Sequence, residues 1–152
     1  MESAQSEQWK EIGNGFLENA KFLKAIEYFT KAIAINPEDF EAFDLRGIAW
    51  VQILETEKGI QDFKTCVQIN SHYHQAYAHL AEIAFAKCDY EQTEEYYDKA
   101  LEYFPGNVCY QSNQAIAKEK LERMRKRWNC AVPFCNPIQE LCWLLNFVAT
   151  YI

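Results

Sequence analysis

Long apolar runs are missing from this chain of 152 residues. No stretch of about 18 apolar residues occurs, so a membrane-spanning helix is not expected. The first twenty residues are polar and contain no apolar segment, so a secretory leader is not expected either. There is no Gly-rich phosphate loop, no nucleophile elbow and no helical His-Glu-x-x-His. The many carboxylates fall on faces expected to meet solvent. The chain is therefore not expected to be an enzyme or to hold a cofactor.

Metal-binding patterns are absent too. The 6 cysteines, Cys66, Cys88, Cys109, Cys130, Cys135 and Cys142, form no Cys-x-x-Cys pair. A helical zinc site prefers ligands four apart, on one face. His74 and His79 are five apart, so His72, His74 and His79 are expected to be surface histidines and no metal is expected. Free thiols in a reducing compartment are simpler than a disulfide framework, which points to the cytoplasm. Basic charge is scarce. Residues 1–107 hold 9 Lys/Arg against 19 Asp/Glu, whereas residues 108–152 hold 6 against 3. The bulk of the molecule should repel nucleic acid and anionic membranes.

What the sequence does have is a period. Apolar residues make up 49% of the chain, enough for a sizeable core. Trp9, Ile12, Gly13 and Phe16 recur at spacings of three and four, one face of a helix. Ala25, Ile26, Phe29, Ala32 and Ile33 form a second stripe, and Asn36-Pro37 ends it, because a residue before proline leaves the helical region. A shift of 34 carries Trp9 to Phe43 and Tyr77, Gly13 to Gly47 and Ala81, Phe29 to Phe63 and Tyr97, and Ala32 to Cys66 and Ala100. Fixed-period columns that keep side-chain size mark stacked repeats. The small columns, Gly13/Gly47/Ala81 and Ala25/Gly59/Thr93, are expected where two helices cross closely.

The spacing predicts a helix from about Ser6 to Leu17 or Glu18, after a frayed start over residues 1–5. Asn19, Asp39 and Thr56 are expected helix caps, Asp89 with Gln92 a capping box, and Asn107 the cap of a helix over 108–128. Leu54 and Phe104 are expected to face inward. In the last helix Tyr110, Ala117, Leu121, Met124 and Trp128 form one stripe. Its basic residues, from Lys118 to Arg127, read as a solvated face. The alternatives are a docking patch for an acidic partner or anionic lipid, and a nuclear-import signal.

Trp9, Ile12, Gly13, Phe16, Ala25, Phe29, Ala32 and Pro37 resemble the tetratricopeptide-repeat consensus at every signature position. The resemblance covers residues 6–107. It is weaker in the second unit, with Gly59, Cys66 and Ser71 at the two Ala positions and the Pro position. In the third, Ala84 stands at an aromatic position and Thr93 at an Ala position. It implies an all-α, right-handed solenoid of three helical hairpins, 6–39, 40–73 and 74–107, followed by a capping helix over 108–128. The segment 129–152 matches no part of the pattern. Its last 15 residues, as a helix about 22 Å long, fall short of a bilayer core. Helix packing, a dimer contact and occlusion of the groove all stay open for it.

The resemblance also implies a non-enzymatic protein-interaction module that takes a partner peptide in a concave groove lined by the first helix of each hairpin. The groove positions are Glu7, Lys10, Glu11, Asn14 and Leu17, then Glu41, Asp44, Leu45, Ile48 and Gln52, then Gln75, Ala78, His79, Glu82 and Phe85. Family members that bind chaperones clamp the carboxylate of a Glu-Glu-Val-Asp tail with Lys and Asn, then Asn, then Lys and Arg. Lys10 and Asn14 match. Leu45, Gln75 and His79 stand where the other three would be. A groove holding Leu45, Ile48 and Phe85 among acids fits a peptide with apolar anchors and basic flanks. The chaperone tail is the alternative ligand. An alternative from another class is self-association, or peripheral attachment to a membrane, through the tail.

Overall fold

The computed structural model describes residues 2–131. The described residues form seven α-helices: α1 (Glu2–Glu18), α2 (Phe22–Ile35), α3 (Phe40–Gln52), α4 (Thr56–Ile69), α5 (His74–Ala86), α6 (Tyr90–Tyr103) and α7 (Val108–Ala131). Residues 1–117 make one compact unit. Within it α1 pairs with α2, α3 with α4 and α5 with α6, while α2 packs on α3 and α4 on α5. This is the all-α tetratricopeptide-repeat fold. Residues 118–131 continue α7 in the second unit. The remainder of the expected tail, from residue 132 on, lies outside the described residues.

The columns read from the sequence are the hairpin crossings. Ala25, Gly59 and Thr93 are buried, as are Phe29, Phe63 and Tyr97. A Cβ added at Gly13 would stand 2.7 Å from the Phe29 ring, and one at Gly47 would stand 2.8 Å from the Phe63 ring. Both rings are fully buried and cannot swing away. Gly47→Leu should therefore overpack the crossing and cost about 1–3 kcal/mol or more. Thermal unfolding followed by circular dichroism checks this: Tm should fall by several degrees, and an unmoved Tm would refute the close crossing.

The turns repeat at the same period. Ala20, Leu54 and Cys88, 34 residues apart, are the three non-glycine residues with positive φ among the described residues, at 56°, 66° and 60°. Each is followed by a residue whose N–H reaches five back, to the carbonyls of Phe16, Trp50 and Ala84. That is a helix end closed through a left-handed residue, where glycine is usual. Leu54 thus leaves its helical stripe and is 88% exposed, contrary to the inward position expected for it. Leu54→Gly should stabilise the domain by about 1 kcal/mol, because it removes left-handed strain and sacrifices almost no burial. A urea titration reads this as a higher midpoint.

The caps divide. Asp39 accepts from the Ala42 N–H at 3.1 Å, and Asn107 accepts from Cys109 and Tyr110 at 2.9 and 3.2 Å. Asp89 accepts from the Gln92 N–H at 3.1 Å, but the Gln92 amide returns to the Asp89 carboxylate rather than to its backbone. Asn19 and Thr56 do not cap. Asn19 donates back to the Gly15 carbonyl at 2.6 Å, and Thr56 is the first residue of α4, one position too late. Helix α1 begins at Glu2, earlier than the frayed start expected. Phe104, expected to face inward, is 46% exposed and stacked on His74; along the α7 stripe Ala117 and Leu121 are buried, and Met124 and Trp128 are exposed.

Candidate functional site

Helices α3 and α5, with Phe63 of α4 between them, enclose a cleft of about 420 Å³. Ile48, Val51, Phe63, Ile83 and Ala86 supply its apolar surface, and Gln52, His79, Glu82 and Lys87 its polar groups. A second cleft of about 200 Å³ lies between α5 and the start of α7, lined by Glu82, Phe85, Tyr97, Asn113 and Ile116. The second hairpin helices supply the floors, because their large aromatic column (Phe63, Tyr97) reaches through under the first helices. Tyr97 is fixed there by the Asn113 amide, which donates to its hydroxyl at 3.1 Å.

Of the groove positions named from sequence, Ile48, Gln52, His79, Glu82 and Phe85 come together on these clefts. Others do not. Leu45 is half-buried against the cluster of Ala25, Ile26, Phe29 and Ala49, so it belongs to the joint between the first two hairpins. Asp44 is 4% exposed, beneath Tyr73, whose hydroxyl donates to Oδ2 at 3.2 Å. Asn14 and Gln75 are exposed on α1 and α5.

Lys10 is on α1, but its ammonium is committed. Glu41 lies 2.9 Å away, and Glu7 and Asp39 each 3.2 Å away. Burial works against its charge, yet these carboxylates outweigh it and raise its pKa above the ordinary lysine value. Two of the three lie at the start of α3, 29 and 31 residues on. The period gave no sign of them, because they are not a column of the repeat.

His79 is not the surface residue expected. It rests on the Phe63 ring at 5.0 Å between centroids. Its Nε2 is 3.8 Å from Asp44 Oδ1, and its Nδ1 is 3.8 Å from Glu82 Oε2. These are charge contacts rather than hydrogen bonds at that length. Asp44 Oδ1 is buried with no hydrogen-bond partner. Burial pushes the Asp44 carboxyl up. For His79 burial pulls the pKa down, but Glu82 and then Asp44 more than offset it, so it lies above 6.5. A histidine whose folded pKa is raised contributes stability that is complete below its unfolded value and lost as pH rises through the folded one. The stability difference between wild type and His79→Gln should therefore shrink on going from pH 6 to pH 8.5. NMR titration of the ring should show the raised pKa, and Glu82→Gln should lower it.

Burial pushes the Cys66 thiol up to about 12, so it stays protonated and acts as packing. Cys88 and Cys109 are free and exposed. Among the described residues no group of three His, Cys, Asp or Glu could hold a metal ion, and no helix is long and apolar enough to cross a membrane.

Comparison with known proteins agrees with this architecture. The family model described as "Tetratricopeptide repeat" matches residues 12–39 and 74–107. The chain is 32% identical over 118 residues to a small glutamine-rich tetratricopeptide repeat-containing protein 2 of Mycosarcoma maydis, covering 78% of this chain and 34% of that protein. It is 26% identical over 102 residues to the Hsp70-Hsp90 organizing protein 3 of Arabidopsis thaliana, covering 67% of this chain and 18% of that one. The chain thus spans about a third or less of these relatives. Among solved structures, it superposes on the first repeat domain of Spaghetti (RPAP3), bound to the HSP90 peptide SRMEEVD, with a TM-score of 0.75 at 23% identity, covering 79% of this chain and 95% of that one. It superposes on the Sgt2 repeat domain from Aspergillus fumigatus with a TM-score of 0.73 at 24% identity, covering 80% and 82%. Periodic columns, paired helices, left-handed turns 34 residues apart and these matches converge on one assignment: the chain is a tetratricopeptide-repeat domain protein.

Proposed function

We propose that this chain is a non-enzymatic adaptor that binds a segment of a partner protein on the face built by α3, α5 and the start of α7. The observation that carries this reading is the pair of adjacent clefts, apolar in their walls and sharing one acid, Glu82. Clefts of this kind take side chains of a bound segment, and polar groups at their rims fix its register. The reading divides the domain into repeats at 6–39, 40–73 and 74–107, followed in sequence by a capping-type helix over 108–128, and puts the protein in the cytoplasm.

A second reading is favoured by the relatives, whose names are those of Hsp70–Hsp90 organizing proteins, and by a structural neighbour that carries an HSP90 peptide. In it the ligand is the acidic carboxyl-terminal tail of a chaperone. Charge-assisted donors to a carboxylate contribute about 1.5–3 kcal/mol each. Here Lys10 is already held by three carboxylates, and Gln75 and His79 replace two cations. The geometry therefore favours a ligand with apolar anchors and basic flanks.

Fluorescence anisotropy with a labelled Glu-Glu-Val-Asp tail, free carboxylate against amide, separates the two. Binding that vanishes on amidation supports the chaperone tail. Absence of binding, with the protein folded, removes it. The adaptor reading itself fails if Ala86→Trp, which fills the larger cleft from an exposed position, changes the affinity of no bound peptide.

A further inference from the structure

The two clefts are not independent. Glu82 lines both, standing on α5 as the ridge between them. Its side chain is 60% exposed, and among the described residues its one ion-pair contact is His79. The other charges nearby are accounted for. Lys87, at one end of the larger cleft, is held by Glu57 at 2.6 Å. Asp44 is buried, with Oδ1 unpartnered beside His79. His79 is shared between Glu82 and Asp44, so two carboxylates against one imidazole leave this face net negative, with Glu82 standing between two apolar hollows.

Resting on the reading of this face as the peptide site, we propose that the clefts take a partner segment with apolar, basic and apolar side chains at alternate positions, the basic group seated on Glu82. Charge complementarity selects the central residue: a Lys or Arg gains Glu82, a carboxylate meets it as a like charge. The spacing follows from packing. The clefts flank one helix, and packed helix axes lie 8–10 Å apart, so the clefts are roughly 10 Å apart. An extended segment advances about 3.3 Å per residue and shows every second side chain on one face. Positions i, i+2 and i+4 then span about 13 Å, enough to straddle α5 with the middle side chain on its ridge.

The test compares labelled peptides STLTRTLTS, STLTQTLTS and STLTETLTS on the full chain, by anisotropy. The Arg peptide should bind at least 10-fold tighter than the Glu peptide, with the Gln peptide between. Glu82→Gln should make the Arg and Gln peptides equal. Glu82→Lys should invert the order of Arg and Glu. Because Glu82 is on the surface, these variants keep the fold, which circular dichroism verifies. Equal binding of the three peptides, no binding of any of them, or an order that Glu82→Lys leaves alone overturns the proposal. If in those cases Ala86→Trp still abolishes binding of the peptides or of the chaperone tail, the adaptor reading stands alone. If Ala86→Trp changes nothing, both fall.

Discussion

Phe63→Ala is expected to cost about 3–5 kcal/mol, the usual range for deleting a fully buried aromatic ring. Phe63 is 1% exposed and forms one core cluster with Leu80 and Ile83. It fills the crossing against Gly47, rests under His79, and floors the larger cleft. Truncation therefore opens a cavity in the middle hairpin, on which both neighbours are stacked. In a repeat array, stability is carried by units and by the joints between them. A fault in the central unit should weaken the whole domain, whereas one in an outer unit would fray an end. Urea denaturation followed by circular dichroism and by tryptophan fluorescence checks the magnitude. A loss below about 1 kcal/mol would mean that the Phe63 pocket collapses freely and that the crossing is looser than described.

The second large effect is expected at Arg46. Its guanidinium grips Asp62 of α4 with two bonds, Nε to Oδ2 at 2.8 Å and the terminal nitrogen to Oδ1 at 2.7 Å. It also donates to the Thr30 hydroxyl of α2 at 3.2 Å. One side chain thus ties α3 to its own hairpin and to the preceding one. The Asp62 side chain is only 7% exposed, and that of Arg46 17%. Arg46→Ala leaves a buried carboxylate without its partner, at a cost of about 3 kcal/mol. Arg46→Leu combined with Asp62→Leu removes both charges and should come back to within about 1 kcal/mol of wild type, because desolvation is relieved together with the pair. If the double variant were as unstable as Arg46→Ala, the loss would lie in packing rather than in a stranded charge.

Much of the fold was legible because the repeat places chemically similar residues in the same environment three times. Gly13/Gly47 and Phe29/Phe63/Tyr97 announce the crossings, and Asp39, Asp89 and Asn107 announce helix starts through their oxygens. The errors came where the chain departs from pure helical periodicity. Leu54 fits the apolar stripe of α3, yet it falls on the left-handed residue that ends the helix, and the backbone turns it outward. Thr56 is a good cap residue displaced by one position.

The site was legible only in part, and for a different reason. Ile48, His79, Glu82 and Phe85 follow from helical phase, and the structure brings them onto the clefts. The state of Lys10 and Asp44 depends on partners far along the chain, Asp39 and Glu41 at the start of α3 for the first, Tyr73 and His79 at the start of and within α5 for the second. No spacing within one helix encodes those contacts. Tyr97, Asn113 and Ile116 line the smaller cleft but are absent from the groove positions named from sequence, because that cleft needs the start of α7 as a wall and the groove was expected from the first helices of the hairpins alone.

The claim that this face receives the partner is tested most directly by an amide chemical-shift map of the folded protein with a bound peptide. The account predicts shifts concentrated at Ile48, Val51, Ile83, Ala86, Phe85 and Ile116. It predicts little change at Glu27, Lys64 and Asp98, which are exposed on the second helices. Shifts concentrated on α2, α4 and α6 instead would contradict it.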